Sequence, residues 1–446
     1  MKYFGTDGIR LPATQFTSDF IMQIIAGLAA YAGTNKKVLI GGDTRESTEW
    51  ILQDLATALE TFGFDYASVG VLPTPAINYC FFKMGFDFAI DVTASHNPYT
   101  DNGIKIFERS QETDSGAKLS PAGCAAIEAA LASPQSYQPV SISDREDLHD
   151  EALALYLEHL RNYFSAIPGL TDLCGQNIAI DFANGATSAI GPEIFESLGA
   201  TVTTLHLNPA YGQSINQNCG STHPESLITA VTANHLDFGI AYDGDGDRAL
   251  LVDHTGTLVD GDDILAILAD YLHLDSIAVT VMTNQGLLNW AKQNHITTSI
   301  TAVGDSNVAT AMLEHHIHLG GEQSGHIILP GEPTGDGILT SLIIAKILQT
   351  TKQPLHTARS IITKLPQVSL TLPATPAQKQ KIAQDATITS IIAHFTEKVN
   401  SECAGRVLVR PSGTEPLIRI TVWGDDEAKI TQLAHDLCTT LKEKII

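Results

Sequence analysis

Apolar positions along the chain switch between a strand-like and a helix-like period, and the switch recurs in one order three times. Short apolar runs predict strands at Lys37 to Gly42, Tyr66 to Val71 and Phe86 to Val92. They recur at Asn177 to Phe182, Thr201 to Leu207 and Leu236 to Tyr242, and again at Ser276 to Met282, Thr298 to Val303 and His316 to Leu319. Between them Trp50 to Phe62, Ala186 to Leu198 and Gly286 to Asn294 carry helical spacing, so each unit reads as βαβαβ around a mainly parallel sheet. Asp87-Phe88-Ala89-Ile90 and Asp237-Phe238-Gly239-Ile240 match almost letter for letter. From Pro366 the pattern changes. A strand and a helix precede strands at Arg406 to Arg410 and Leu417 to Val422 and a helix at Glu427 to Lys444, a compact α+β unit. The predicted class is α/β, with three similar βαβαβ mixed-sheet domains and a smaller C-terminal α+β domain. Polar or proline-bearing stretches set the expected domains at 1–148, 149–253, 254–364 and 365–446.

Composition narrows the picture. A chain of 446 residues is too long for one ordinary core, and 43% apolar with 17% charged residues is the balance of a chain that folds throughout. The net charge of −24, with no basic patch to offset it, excludes nucleic acid and anionic membrane surfaces as natural partners. Cysteines at 80, 124, 174, 219, 403 and 438 form no C-x-x-C pair, so neither a disulfide ladder nor a zinc framework is expected from spacing. Met1 to Thr6 lacks an apolar signal core and no run approaches the roughly 20 apolar residues that span a bilayer. The expected location is cytoplasmic.

The candidate chemistry sits at the ends of the third strand of each repeat, where open α/β sheets bind ligands. Thr93-Ala94-Ser95-His96-Asn97-Pro98 offers Ser95 as a nucleophile, with His96 to orient it, to act itself or to serve the local structure. Lys105, reached through Asn102-Gly103-Ile104, is expected to return to the same pocket with a pKa lowered for proton transfer. Asp243, Asp245 and Asp247 alternate in Asp243-Gly244-Asp245-Gly246-Asp247-Arg248, which throws three carboxylates to one side. An EF-hand needs glycine and glutamate where Arg248 and His254 stand, so the set suits Mg²⁺ holding a phosphate oxygen instead. Gly321-Glu322-Gln323-Ser324-Gly325-His326 is a polar ligand loop. Arg410-Pro411-Ser412-Gly413-Thr414-Glu415-Pro416 reads either as a phosphate cradle or as a plain hairpin loop, and Arg10 in Phe4-Gly5-Thr6-Asp7-Gly8-Ile9-Arg10 is a further cation.

Taken together and in this order, GTDGIR, TASHNP with NGIKIF, DGDGDR, GEQSGH and RPSGTEP resemble the α-D-phosphohexomutase superfamily, and FGTDGIR with GGEQSGH resembles its phosphoglucosamine mutase branch. The resemblance implies four domains around a central cleft. It implies a phosphoserine at Ser95, which with Asp243, Asp245 and Asp247 holds Mg²⁺, and Arg10, Lys105, Arg248 and His96 in the catalytic set. Glu322, Ser324 and His326 would grip the sugar, while Arg410, Ser412, Gly413 and Thr414 would bind the phosphate that is not transferred. The implied reaction interconverts glucosamine 6-phosphate and glucosamine 1-phosphate through glucosamine 1,6-bisphosphate, feeding UDP-N-acetylglucosamine and cell-wall precursors. The expected partners are small sugar phosphates, acting on a monomer or homodimer. Rival readings are a phosphoglucomutase/phosphomannomutase for neutral hexoses and a catalytically silent sugar-phosphate sensor; intact Ser95, Lys105 and the aspartates speak against the sensor. Two departures from the family pattern stand out, Leu11 where glycine usually follows GTDGIR and Ser306 where a basic residue usually follows Gly304-Asp305.

Overall fold

The computed structural model describes residues 2–5, 7–110, 115–140, 146–412 and 416–445, with residue 383 described by its backbone alone. Four sheets organise them. The first holds β1 (Phe4–Gly5), β2 (Gly8–Pro12), β3 (Lys37–Gly42), β4 (Asp65–Val71), β5 (Phe88–Val92), β6 (Asp101–Ser110), β7 (Ser115–Lys118) and β8 (Glu146–Asp147). The second holds β9 (Asn177–Asp181), β10 (Thr201–Leu205), β11 (Phe238–Tyr242), β12 (Ala249–Asp253) and β13 (Leu258–Val259), and the third β14 (Ser276–Thr280), β15 (Thr297–Thr301), β16 (Gly320–Gly321) and β17 (Ile327–Ile328). The fourth holds β18 (Gln367–Pro373), β19 (Arg406–Pro411) and β20 (Leu417–Trp423), all antiparallel.

One arrangement repeats in the first three sheets: β4-β3-β5-β6, β10-β9-β11-β12 and β15-β14-β16-β17. The first three strands of each set run parallel and the fourth runs antiparallel. The sheets are therefore mixed, and the reversal matters. A parallel neighbour needs a long crossover, whereas an antiparallel one needs only a short turn. That turn is where residues 93–100, 243–248 and 322–326 fall, each pinned by a strand on both sides. β5 and β11 are buried at every position, which is why they read as continuous apolar runs without alternation.

Two predicted elements come out differently. The run Ala186 to Leu198 is not one helix but a 3₁₀ turn at Ala186–Ala189 and a short helix at Glu193–Ser197. Gly191 at φ 60° and Pro192, which has no N–H to give, interrupt it. The third-repeat strand expected at His316 to Leu319 lies instead at Gly320–Gly321, and His316 closes helix Asp305–His315 in a left-handed conformation. A Cβ on Gly320 would sit 2.6 Å from Met312 Sδ and 2.8 Å from Val308 Cγ1, so the helix packs directly on a strand whose residues carry no β-propensity signal.

A single apolar cluster runs from Leu39 to Ile362 through all three repeats. At its centre helix Gly337–Thr351 is buried from Gly337 through Leu348, and helix His149–Ala166 packs on it through Tyr156, Leu160 and Phe164. The C-terminal domain has a separate core, from Leu372 to Ile445. At the junction Asn284 grips Leu365 from both sides, donating to its carbonyl at 2.9 Å and accepting its N–H at 3.0 Å.

Candidate active site

The loop after β5 is locked before any ligand arrives. Ser95 adopts φ 54°, a left-handed conformation that non-glycine residues take only under constraint. The constraint comes from its neighbours. Ser95 N–H donates to Thr93 Oγ1 at 2.9 Å, and the carbonyl of Ser95 accepts from Arg45 Nη2 at 3.1 Å and Asn216 Nδ2 at 2.8 Å. The same two side chains also hold the carbonyl of Asn97. Arg45 is fully buried and paired with Asp43. Removing either partner strands a buried charge, at a cost of about 3–5 kcal/mol.

The loop after β11 meets the first one at Ser95. Ser95 Oγ donates to Asp243 Oδ2 at 2.6 Å, and a Cβ on Gly244 would sit 2.5 Å from the Ser95 carbonyl oxygen. The glycine is what lets the loops close. Asp243, Asp245 and Asp247 are all buried and offer oxygens within 4.8 Å of one another. Burial and the other two carboxylates push Asp243 well above the usual carboxylate range, while Asp245 Oδ1 and Asp247 Oδ1 have no hydrogen-bond partner. Three crowded carboxyls with unspent oxygens fit a divalent cation.

Lys105 enters from β6, where its register partner is Asp91. Its Nζ lies 2.7 Å from Asp245 Oδ2, 3.2 Å from Asp247 Oδ2 and 3.0 Å from Asp7 Oδ2. Burial opposes its charge, but Asp245, Asp7 and Asp247 outweigh burial and hold its pKa well above the lysine range. The expected lowered pKa is thus corrected: Lys105 is a fixed cation. Arg10 pairs with Asp7 at 2.5 Å. Arg248 donates through Nη1 to His96 Nδ1 at 3.1 Å, and His96 Nδ1 stands 3.4 Å from Ser95 Oγ. Burial, then Arg248 and Arg10, lower the imidazole to about 4, so His96 is neutral near pH 7.

The third-sheet loop supplies Glu322, whose Oε1 accepts the Gly304 N–H at 3.0 Å, and Ser324, which is exposed. His326 is buried. Its Nε2 accepts from Gly335 N–H at 3.1 Å, which leaves the ring proton on Nδ1, 3.6 Å from Asp247 Oδ2. The structure therefore places His326 against a carboxylate of the cation cage. In the C-terminal domain Arg410 faces Arg419 across β19 and β20, and burial with Arg419 lowers its pKa. Ser412 is buried beside them, while Gly413 and Thr414 lie outside the described residues.

Sequence reasoning missed the groups that set up this site from a distance. Asp7 binds Arg10, Lys105 and Lys118 together, and Lys118 also reaches Asp305, tying the first domain to the third. Arg45 and Asn216 hold the serine loop from elements far along the chain. Arg419 left the one local trace, a cation inside the apolar run Leu417 to Trp423.

Models of the phosphoglucomutase/phosphomannomutase family match the chain in sequence: alpha/beta/alpha domain I over residues 1–138, domain II over 154–256, domain III over 260–365 and the C-terminal domain over 373–440. Fold and four-part match together define the class, the α-D-phosphohexomutases. Curated relatives narrow it. A phosphoglucosamine mutase of Clostridioides difficile is 38% identical over 458 residues, covering 100% of this chain and 99% of the relative. One from Pseudomonas entomophila is 39% identical over 452 residues, covering 99% of each. The chain belongs to the phosphoglucosamine mutase family, and so to the isomerases that move phosphoryl groups within a sugar. Among solved structures, a phosphoglucomutase/phosphomannomutase family protein from Burkholderia thailandensis matches with TM-score 0.76 at 20% identity, over 99% of this chain and 97% of that one. An Aspergillus fumigatus N-acetylphosphoglucosamine mutase, solved in complex with GlcNAc-6P and magnesium, matches with TM-score 0.65 at 16% identity, over 100% of this chain and 96% of that one. At such identities these two structures speak for the fold.

Proposed function

We propose that the chain interconverts glucosamine 6-phosphate and glucosamine 1-phosphate by way of a phosphorylated Ser95. The observation that carries this is the meeting of two loops, with Ser95 Oγ 2.6 Å from Asp243 in a buried three-carboxylate cage. Phosphoryl transfer needs positioning and charge neutralisation more than covalent help. Asp243, Asp245 and Asp247 would hold Mg²⁺, which suits an all-oxygen set and supplies neutralisation of phosphoryl oxygens when bound.

The chain's own groups do the rest. Asn216 and Arg45 aim the Ser95 hydroxyl, and Lys105, Arg10 and Arg248 surround it with fixed positive charge. In the forward half-reaction the bond from phosphorus to Ser95 Oγ breaks as one forms to the sugar O1, and the O1 proton ends on Ser95 Oγ. The resulting 1,6-bisphosphate turns over, and the 6-phosphoryl group returns to Ser95. Arg410 and Arg419 grip the distant phosphate in both orientations. The separate C-terminal core and the Asn284 clasp on Leu365 support a hinge there for reorientation.

Glu322 keeps one oxygen for the sugar, and a carboxylate facing an ammonium at C2 gains what it cannot gain from a hydroxyl. That difference is worth roughly 1–3 kcal/mol, or at least about tenfold in kcat/KM. Side-by-side assays at saturating Mg²⁺, with enzyme phosphorylated beforehand, should favour glucosamine 6-phosphate over glucose 6-phosphate and mannose 6-phosphate by that factor. Parity, or a preference for a neutral sugar, contradicts the proposal.

A further inference from the structure

Away from the catalytic cage, β9 and β10 deliver three metal-binding side chains to one point. Their parallel register pairs Leu205 with Asp181, so His206 stands just beyond that pair at the same strand end. His206 turns left-handed (φ 49°), which brings its Nδ1 to 3.1 Å from Asp181 Oδ1. Cys219 joins them ahead of a turn whose Gly220 N–H donates to Asp181 Oδ2 at 3.0 Å. Carboxylate oxygen, imidazole nitrogen and thiol sulfur lie within 4.8 Å of one another.

We propose that Asp181, His206 and Cys219 form a second metal site, for a thiophilic divalent cation of the Zn²⁺ class. An oxygen, a nitrogen and a sulfur ligand with one position left to water make a near-tetrahedral zinc set. Mg²⁺, which takes hard oxygen donors, belongs in the aspartate cage instead, so the two sites select different ions. Three features of these side chains fit a cation. His206 Nδ1 is buried and faces Asp181 Oδ1 at 3.1 Å without the geometry of a hydrogen bond. Asp181 and Cys219 are fully buried, while the His206 side chain keeps 31% exposure, which gives the ion a way in and a place for the water. Each Asp181 oxygen holds one backbone N–H, from Ala183 at 2.9 Å and Gly220 at 3.0 Å, so the carboxylate is fixed yet keeps a lone pair on each oxygen. Binding trades the Cys219 S–H bond for a metal–sulfur bond, and the proton leaves to solvent.

Its place in the fold gives the site a consequence. Asn184 N–H donates to the His206 carbonyl at 2.7 Å, and two residues on Ala186 N–H donates to the Gly244 carbonyl at 2.8 Å. Gly220 lies against the Tyr242 carbonyl, where a Cβ would come within 2.6 Å. An ion at Cys219 thus braces both turns that support the Asp243–Asp247 loop.

The test is a Co²⁺ titration of the full chain in excess Mg²⁺. One equivalent should produce a thiolate-to-cobalt charge-transfer band that Zn²⁺ displaces. The band should vanish in Cys219→Ser, persist in Asp245→Asn, and need at least about tenfold more Co²⁺ in His206→Asn, a residue that accepts the same left-handed backbone. Zn²⁺ should also raise the Tm of the wild type and not that of His206→Asn, which guards against a serine variant that fails to fold. No band, a band that survives Cys219→Ser, or an equal Tm response in both proteins overturns the site. None of these readouts is mutase turnover, so the result stands apart from the catalytic proposal.

Discussion

Ser95 owes its character to its neighbours. Thr93, Arg45 and Asn216 hold its backbone in a left-handed turn, and Asp243 holds its hydroxyl. The serine motif and the aspartate triplet were legible because each is contiguous, so spacing alone shows which side chains share a side. Asp7, Lys118 and Asp305 were not, because they meet only after the first and third domains have docked. The protonation of Lys105 was misjudged for the same reason, since Asp7 and the aspartate loop reach it from outside its own strand. Asp245 sits at the crossing of these contacts. Asp245→Asn should weaken Mg²⁺ binding and lower kcat by at least about 100-fold, about 2.7 kcal/mol of transition-state stabilisation, while the chain stays folded. Calorimetric Mg²⁺ titration with steady-state rates checks both, and a near-normal kcat contradicts the cage.

At the scale of elements, strands buried on both faces were legible as apolar runs, and helices with one apolar face as helical spacing. The Gly320–Gly321 strand escaped because its residues are chosen for closeness to helix Asp305–His315 and carry no propensity signal. Close approach also governs the turn after β9. A Cβ on Gly185 would sit 2.4 Å from the Gly244 carbonyl oxygen, with no flexible side chain to give way. Gly185→Ala should therefore displace the aspartate loop and cut kcat/KM at least about tenfold, with far-ultraviolet circular dichroism unchanged. An alanine variant of wild-type activity contradicts that contact. Asp336, which caps helix Gly337–Thr351 and accepts from Tyr156 at 2.7 Å, carries a pH effect. Burial raises its carboxyl from 3.8 to about 6, against the pull of Leu339 N–H and Tyr156. The folded state then keeps its proton longer than the unfolded state, so this group's contribution falls as pH rises from about 4 to about 6. Urea midpoints of wild type should fall relative to Asp336→Asn across that window and run parallel above it. Parallel curves throughout would assign the slope elsewhere.

At the scale of the whole molecule, three domains share one continuous core and the fourth keeps its own. The repeat, and the functional loops at the end of its third strand, were visible in the sequence, but which neighbouring strand reverses was not. Only the structure shows that each functional loop sits where a parallel sheet turns antiparallel, which aims the loops of three domains at one another. The proposed phosphate grip at Arg410 belongs to the separately packed fourth domain, and the proposed cycle has the sugar bisphosphate turn over there while the Ser95 centre stays assembled. The most direct test follows one phosphoryl group through that cycle. Enzyme labelled with ³²P from glucosamine 1,6-bisphosphate is digested to locate the label, then chased with unlabelled glucosamine 6-phosphate and Mg²⁺. The expected result is label on the Ser95 peptide alone, leaving the protein at the rate of turnover and appearing in glucosamine phosphates. Label on another residue, or label that stays on Ser95 while turnover proceeds, would contradict it.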